Sequence, residues 1–204
     1  MRYYLGIDIA TDNAGYAILN ENLVVSFSKT FTPKKEFKIS EIMKCVYQRI
    51  VMFKVLGLQD FNTICVEAPA FGFHNRMVSI GMIHGALLPS IIEIGKPIVY
   101  VPPTKWKYAM LGNGHADKKT GVDFVLSNFK FAKGLDLSHF DNNQADAIIF
   151  SYFAYIFDCY SHNRKPFIFD TLEKRVEEVF LSDKITSRKK SGIMHRPNEF
   201  YFNS

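Results

Sequence analysis

The sequence predicts an α/β fold: a mixed five-stranded sheet of three antiparallel meander strands plus two parallel strands, flanked by helices. Three observations predict it. Three strand-like segments follow one another within the first 31 residues, joined by short turn-rich links. Apolar residues at helical spacing begin only after Pro33, and strands and helices then alternate to about residue 160.

The elements follow in order. Tyr3 to Ala10, Gly15 to Leu19 and Leu23 to Phe31 read as strands, separated by turns at residues 11–15 and 20–22 that are too short for anything but antiparallel connections. Apolar residues at 39, 42, 43, 46, 47, 50 and 51 recur at helical spacing, with Gly57 as a C-cap. Phe61 to Glu67 is a short run ending in an acid and reads as a fourth strand. Arg76 to Ile94 reads as a helix, Pro97 to Val101 as a fifth strand ended by Pro102-Pro103, and Asp117 to Asn128 as a further helix. Asn142 to Tyr160 is apolar nearly all round, which predicts a buried helix. Thr171 to Leu181 is amphipathic, and the basic stretch beyond it has no periodicity. Residues 1–182 are therefore expected to form one domain and 183–204 a mobile basic tail.

Composition narrows the function classes. Over 204 residues, 48% hydrophobic and 22% charged side chains allow a full core and exclude wholesale disorder. The longest nearly uncharged stretch in the second half, Ile148 to Phe157, is too short to cross a bilayer, so no membrane partner is expected. Arg2 leads straight into a strand-like segment without an apolar signal region. Cys45, Cys65 and Cys159 are far apart, odd in number and set among apolar neighbours, as reduced buried thiols are. A cytoplasmic protein is expected. The net charge of +5 is a weak pointer to nucleic acid by itself. Its distribution adds to the signal: six lysines against two acids between Tyr100 and Lys133, and five basic residues against none between Lys184 and Arg196.

The chemistry-bearing residues are acids in apolar settings. Asp8 sits in Leu5-Gly6-Ile7-Asp8-Ile9-Ala10, where a carboxylate is costly unless an ion or hydrogen bonds compensate it. Glu67 ends the fourth strand, and Asp146 lies in the first turns of the apolar helix near Asp141. If the first and fourth strands are neighbours and that helix crosses their ends, the acids converge. Converging carboxylates repel unless divalent cations lie between them, and oxygen ligands suit Mg²⁺ or Mn²⁺. Two such ions are the usual device for in-line displacement at a phosphodiester. Singly, Asp141 reads as a helix N-cap and Glu67 as a strand-end charge. Three elements carrying acids toward one place is a pattern that chance rarely gives.

The motifs Gly6-Ile7-Asp8-Ile9-Ala10 with Gly15-Tyr16-Ala17-Ile18, Val66-Glu67-Ala68-Pro69-Ala70-Phe71, and Gln144-Ala145-Asp146-Ala147-Ile148 resemble those of RuvC-type Holliday junction resolvases, particularly bacteriophage members, in the RNase H-like superfamily. The resemblance spans about residues 2 to 160 and includes Pro103-Thr104-Lys105-Trp106-Lys107 and Gly112-Asn113-Gly114-His115-Ala116-Asp117-Lys118. It implies an RNase H-like fold and a Mg²⁺-dependent endonuclease, with Mn²⁺ as substitute and two ions per site, that makes paired incisions in four-way DNA junctions as a homodimer. The alternatives are a broader fork or flap nuclease and an inactive branched-DNA-binding module. By this resemblance Asp8, Glu67 and Asp146 are metal-holding catalytic acids. The fourth position departs from the family's Asp or His: it is Asn143, so either Asn143 or Asp141 completes the set, and Asp141 is favoured as the carboxylate. A bacterial cell or a phage-infected host is the implied setting.

The same resemblance assigns DNA contacts. Phe71, Phe73 and Arg76 lie in or beside a glycine-containing loop after Glu67, where an aromatic can wedge against unstacked bases, although ordinary packing explains phenylalanines equally well, and Phe73 better. Lys105, Lys107, Lys118 and Lys119 correspond to lysines that grip DNA. Trp106 reads as a core anchor and His139 as an exposed loop histidine. The long helix after Glu67 carries Met77, Ile80, Gly81, His84, Leu87, Leu88 and Ile91 on one broad face, which the family resemblance makes the dimer surface. Actin-like ATPases share a similar first loop but need two such domains, for which this chain has no room.

Overall fold

The structure is a computed structural model and describes residues 1–69 and 74–180, without the side chains of 74–77. The first three strands, β1 (Tyr3–Asp8), β2 (Ala14–Asn20) and β3 (Val24–Phe31), form the expected antiparallel meander. A 3-10 turn at Lys35–Phe37 leads to α1 (Glu41–Leu56), capped by the Ser40 hydroxyl, which accepts from the Met43 amide at 3.2 Å. Then come β4 (Thr63–Glu67), α2 (His74–Ile92), β5 (Ile98–Val101), α3 (Pro103–Leu111), α4 (Lys118–Asn128), β6 (Lys130–Phe131), α5 (Asn142–Ser161) and α6 (Glu173–Phe180).

The sheet has six strands in the order β5-β4-β1-β2-β3-β6, with β4 parallel to β1 and β5 parallel to β4. The sixth strand corrects the expected five. It is two residues long, pairing Lys130 and Phe131 with Val24 and Val25 at the edge, too short to carry an alternation signal. α3 is the second correction, because Pro102-Pro103 ends the fifth strand and also begins a helix. Pro103 occupies the first helical position, where the missing N–H costs nothing, and Gly112 closes the helix at φ +77°. Lys105 and Lys107 interrupt the apolar periodicity that would have revealed it.

Both faces of the sheet are covered. Leu5, Ile7, Tyr16 and Ile18 point to the α1/α2 side, where they pack with Met52, Val55, Ile83, Leu87 and Ile91. Tyr4, Ala17, Leu19 and Cys65 point to α5, which is buried along nearly its whole length under α3, α4 and α6. Leu172, Val176, Val179 and Phe180 press α6 on this layer, with Phe180 stacked on Phe153 at 5.1 Å. At the far end of α5 the buried Asp158 accepts from the Tyr4 hydroxyl at 2.8 Å and from Arg164, so its charge is matched. Among the described residues, no helix is long and apolar enough to cross a membrane.

Candidate metal and DNA site

The site is built by register and by two glycines. Ile7 pairs with Val66 in parallel register, so one residue on, Asp8 and Glu67 end neighbouring strands on the same side of the sheet. That side is the α5 side, because Gly6 and Cys65, two residues earlier, face α5. A Cβ on Gly6 would stand 1.9 Å from the Ala147 carbonyl oxygen, and one on Gly15 would stand 2.1 Å from that of Asn143. α5 thus lies with its backbone on the sheet, and Gly15 is the register partner of Asp8. The first turns of α5 are thereby carried over Asp8, and Asp146, the residue before Ala147, comes with them.

Electrostatics record that convergence. Desolvation first, then Glu67 and Asp146, hold the Asp8 carboxyl well above the usual carboxylate range, with Lys118 opposing. Burial and the Glu67 charge push Asp146 up to about 7, against Lys107 and Lys118. Glu67 is raised by burial, while the Trp106 hydrogen bond and Lys107 pull it down. Among the described residues no three His, Cys, Asp or Glu side chains are gathered around one point as metal ligands. The donor set nonetheless fits a hard divalent cation: oxygen-only carboxylates from three elements, each raised by burial and, for Asp8 and Asp146, by one another's kind.

Asp141 and Asn143 occupy the edge of this cluster. Asp141 is the N-cap of α5: its Oδ1 accepts from the Gln144 amide at 2.9 Å and from the Thr30 hydroxyl at 2.7 Å, within a reciprocal capping box. Its charge still reaches Asp8 and Asp146 as the weakest of their influences. The Asn143 Oδ1 accepts from Asn142 at 3.0 Å.

Four predicted lysines divide into two pairs. Lys107 and Lys118 act electrostatically on the acids, and the Lys107 ammonium donates to the Ala116 carbonyl at 3.0 Å, tying α3 to the loop before α4. Lys118 and Lys119 open α4, where the helix dipole disfavours cations, although Asp117 caps the turn by accepting from the Thr120 amide at 2.8 Å. Lys105 and Lys119 are exposed. Phe71 and Phe73 lie outside the described residues, as does the side chain of Arg76 and the basic tail. His139 is exposed, as expected.

Trp106 is the residue that sequence reasoning placed only in the core. It is buried, but its indole N–H donates to Glu67 Oε1 at 2.9 Å. The signal available was its position between two lysines of the motif.

The expected dimer face of α2 is corrected. Leu87 and Ile91 point inward, and His84 is buried. The outward residues include Val78, Gly81, Gly85, Pro89 and Ile92, and a Cβ on either glycine meets open space. On α1, Ile42, Val46, Ile50 and Phe53 are exposed at helical spacing.

No family model matches the chain. Over 154 residues it is 30% identical to the crossover junction endodeoxyribonuclease RuvC of Helicobacter hepaticus, covering 72% of this chain and 80% of that protein. It is 27% identical over 140 residues to the RuvC of Christiangramia forsetii, covering 65% of this chain and 70% of the relative. In structure it is similar to Thermus thermophilus RuvC in complex with Holliday junction substrate, with a TM-score of 0.61 and 17% identity over 82% of this chain and all (100%) of the other. At that identity the structural likeness shows the fold.

Proposed function

The chain belongs to the RuvC family of crossover junction endodeoxyribonucleases, and from that premise we propose how its own residues resolve a four-way DNA junction. The protein is a junction-resolving endonuclease, a hydrolase in which water adds to phosphorus and one ester P–O bond breaks, leaving a phosphate end and a hydroxyl end. The observation that carries the site assignment is the grouping of Asp8, Glu67 and Asp146 from β1, β4 and α5, with Lys107 and Lys118 beside them.

Asp8, Glu67 and Asp146 would hold the metal, with Asp141 or Asn143 at the rim. Mg²⁺, or Mn²⁺ in its place and two ions per site, would supply the charge that acidifies the attacking water and neutralises the departing oxygen. Burial and mutual repulsion raise these carboxyls in the metal-free protein, and a bound cation would offset that repulsion and keep them in the ionised form that ligates it. Lys107 and Lys118 add positive charge where a phosphate must come near four acids, and Lys105 and Lys119 extend that charge outward. Phe71 and Phe73 follow Glu67 in the chain and Arg76 belongs to the first turn of α2, and these residues would meet the crossover bases. Residues 1–182 form the nuclease unit in this reading. Cys45, Cys65 and Cys159 are buried and unpaired, which suits the reducing interior of a bacterial or phage-infected cell.

A homodimer supplies the second active site that paired incision needs. Its support is the outward apolar and glycine-bearing surface of α1 and α2, on the side of the sheet away from the acids.

The test is cleavage of four-way, three-way, flap and linear DNA by Asp8→Asn, Glu67→Gln and Asp146→Asn. Each is expected to lose roughly a thousandfold or more in turnover on the four-way junction, several kcal/mol of transition-state stabilisation. Junction binding should persist, because removing a negative charge does not weaken attraction to phosphate. Near-normal cutting by any one of the three removes that residue from the mechanism.

A further inference from the structure

Trp106 makes three contacts at once. Its indole N–H donates to Glu67 Oε1 at 2.9 Å, its edge meets the Phe150 ring at a centroid distance of 5.4 Å and 89°, and Lys107 Nζ lies 5.5 Å from its ring centroid. The side chain is 1% exposed, so it is locked by packing before it touches the acid. Oε2 of Glu67 has no hydrogen-bond partner among the described residues.

We propose that Trp106 is the positioning residue of the site: it fixes the Glu67 carboxylate by holding one oxygen, directs the other to the cation, and keeps the Lys107 ammonium beside the same acid. This rests on the metal-site reading above. The physical case is that of any supporting shell. A glutamate has three rotatable bonds, and each rotamer lost before binding is an ordering cost the cation need not bear. An indole donates without accepting and cannot ionise, so it orients a carboxylate without competing for the metal as a histidine would. Being the only tryptophan in the sequence, it also makes emission excited beyond the tyrosine absorption a reporter of this side chain's surroundings.

The experiment uses the full chain and Mn²⁺ alone, without DNA. Calorimetric titration compares wild type, Trp106→Phe and Glu67→Gln, while wild-type emission is followed over the same Mn²⁺ series. Trp106→Phe keeps an aromatic ring against Phe150, removes the donor and leaves a small void, and is expected to weaken Mn²⁺ binding about tenfold or more in a protein that still folds cooperatively, with a lowered thermal midpoint. Glu67→Gln is expected to weaken it further, and wild-type emission should change saturably at the concentrations where heat is released. If Glu67→Gln loses Mn²⁺ and Trp106→Phe binds it like wild type, Trp106 only packs and the proposal fails. If neither change affects Mn²⁺ binding, the metal-site reading fails and takes the proposal with it. Should Trp106→Phe not fold, wild-type emission decides with Mg²⁺, which does not quench by paramagnetism, in place of Mn²⁺: saturable change upholds the coupling, and emission indifferent to bound Mg²⁺ overturns it.

Discussion

Gly6 on β1 lies so close beneath Ala147 on α5 that a methyl group added to it would stand 1.9 Å from the Ala147 carbonyl oxygen and 2.3 Å from the Ser151 amide nitrogen. Both obstacles are backbone, which cannot swing aside as a side chain can. Gly6→Ala is therefore expected to push α5 off the sheet and destabilise the protein by about 3 kcal/mol or more, read as a lower denaturant midpoint. Because α5 carries Asp146 over Asp8, any folded fraction should also bind Mn²⁺ less tightly. A Gly6→Ala protein with wild-type midpoint would show that α5 does not sit where the structure puts it.

His84 on α2 gives a pH dependence whose sign is fixed. Its ring is buried, Nδ1 has no hydrogen-bond partner among the described residues, and burial holds its pKa below the ordinary imidazole value. The folded protein thus resists protonating a group that the unfolded chain protonates near pH 6.5. Its contribution is complete above that pH and is lost as the pH falls toward the folded value, by up to about 1.4 kcal/mol per pH unit. His84→Leu should lose less stability than wild type between pH 7 and pH 5 in thermal melts. Parallel curves for the two proteins would mean that His84 is hydrated in the native state.

How much of this was legible in the sequence follows from how each signal is written. Asp8 and Asp146 stood out because an acid in an apolar run breaks a local rule, and Glu67 because it ended such a run. The register of β1 on β4 and the seat of α5 on Gly6 and Gly15 then brought those three acids within electrostatic reach of one another. Asp141 was ambiguous by nature, since one carboxylate at the start of a helix suits both a cap and a ligand, and its Oδ1 is in fact the cap. The Trp106 bond to Glu67 was illegible because it joins elements 39 positions apart through a helix that lysines had disguised. The inward turn of Leu87 and Ile91 was missed for a different reason. An apolar stripe says that a face is buried, and it does not say whether the burial is under the sheet or under a second subunit.

The lysines should separate by place. Lys105 and Lys119 are exposed and away from the acids' strongest influences, so Lys105→Ala and Lys119→Ala should each weaken junction binding and lower the salt slope by about one. Lys107 and Lys118 oppose the charge on the acids, so their alanine variants should also slow cleavage at saturating junction. Titration of fluorescent junctions across a salt series checks the first point, and single-turnover cleavage the second. A salt slope unchanged in all four variants would leave these lysines as ordinary solvated charges.

A four-way junction has near two-fold symmetry, and cutting it into two duplexes takes two incisions at symmetry-related positions. One metal site cannot make both in a single encounter, whereas a closed two-fold dimer has two sites related by an axis that can coincide with that of the DNA. The self-complementary patch has to lie away from the acids, and the outward surface of α1 and α2 does: Ile42, Val46, Ile50 and Phe53 on one helix, Val78, Gly81, Gly85 and Ile92 on the other. Gly81 and Gly85 lie four residues apart with open space above them, so a partner helix can come close to the α2 backbone. A charge there opposes association without touching the core. Ile50→Glu and Gly85→Glu are therefore expected to sediment as folded monomers. Leu87→Glu, at 0% exposure, is expected to unfold instead. On a cruciform plasmid the monomeric variants should give nicked circles where wild type gives linear product in one binding event. Wild-type protein that stays monomeric with and without DNA and still linearises the plasmid would refute the dimer, and Ile50→Glu and Gly85→Glu proteins that remain dimeric would place its interface elsewhere.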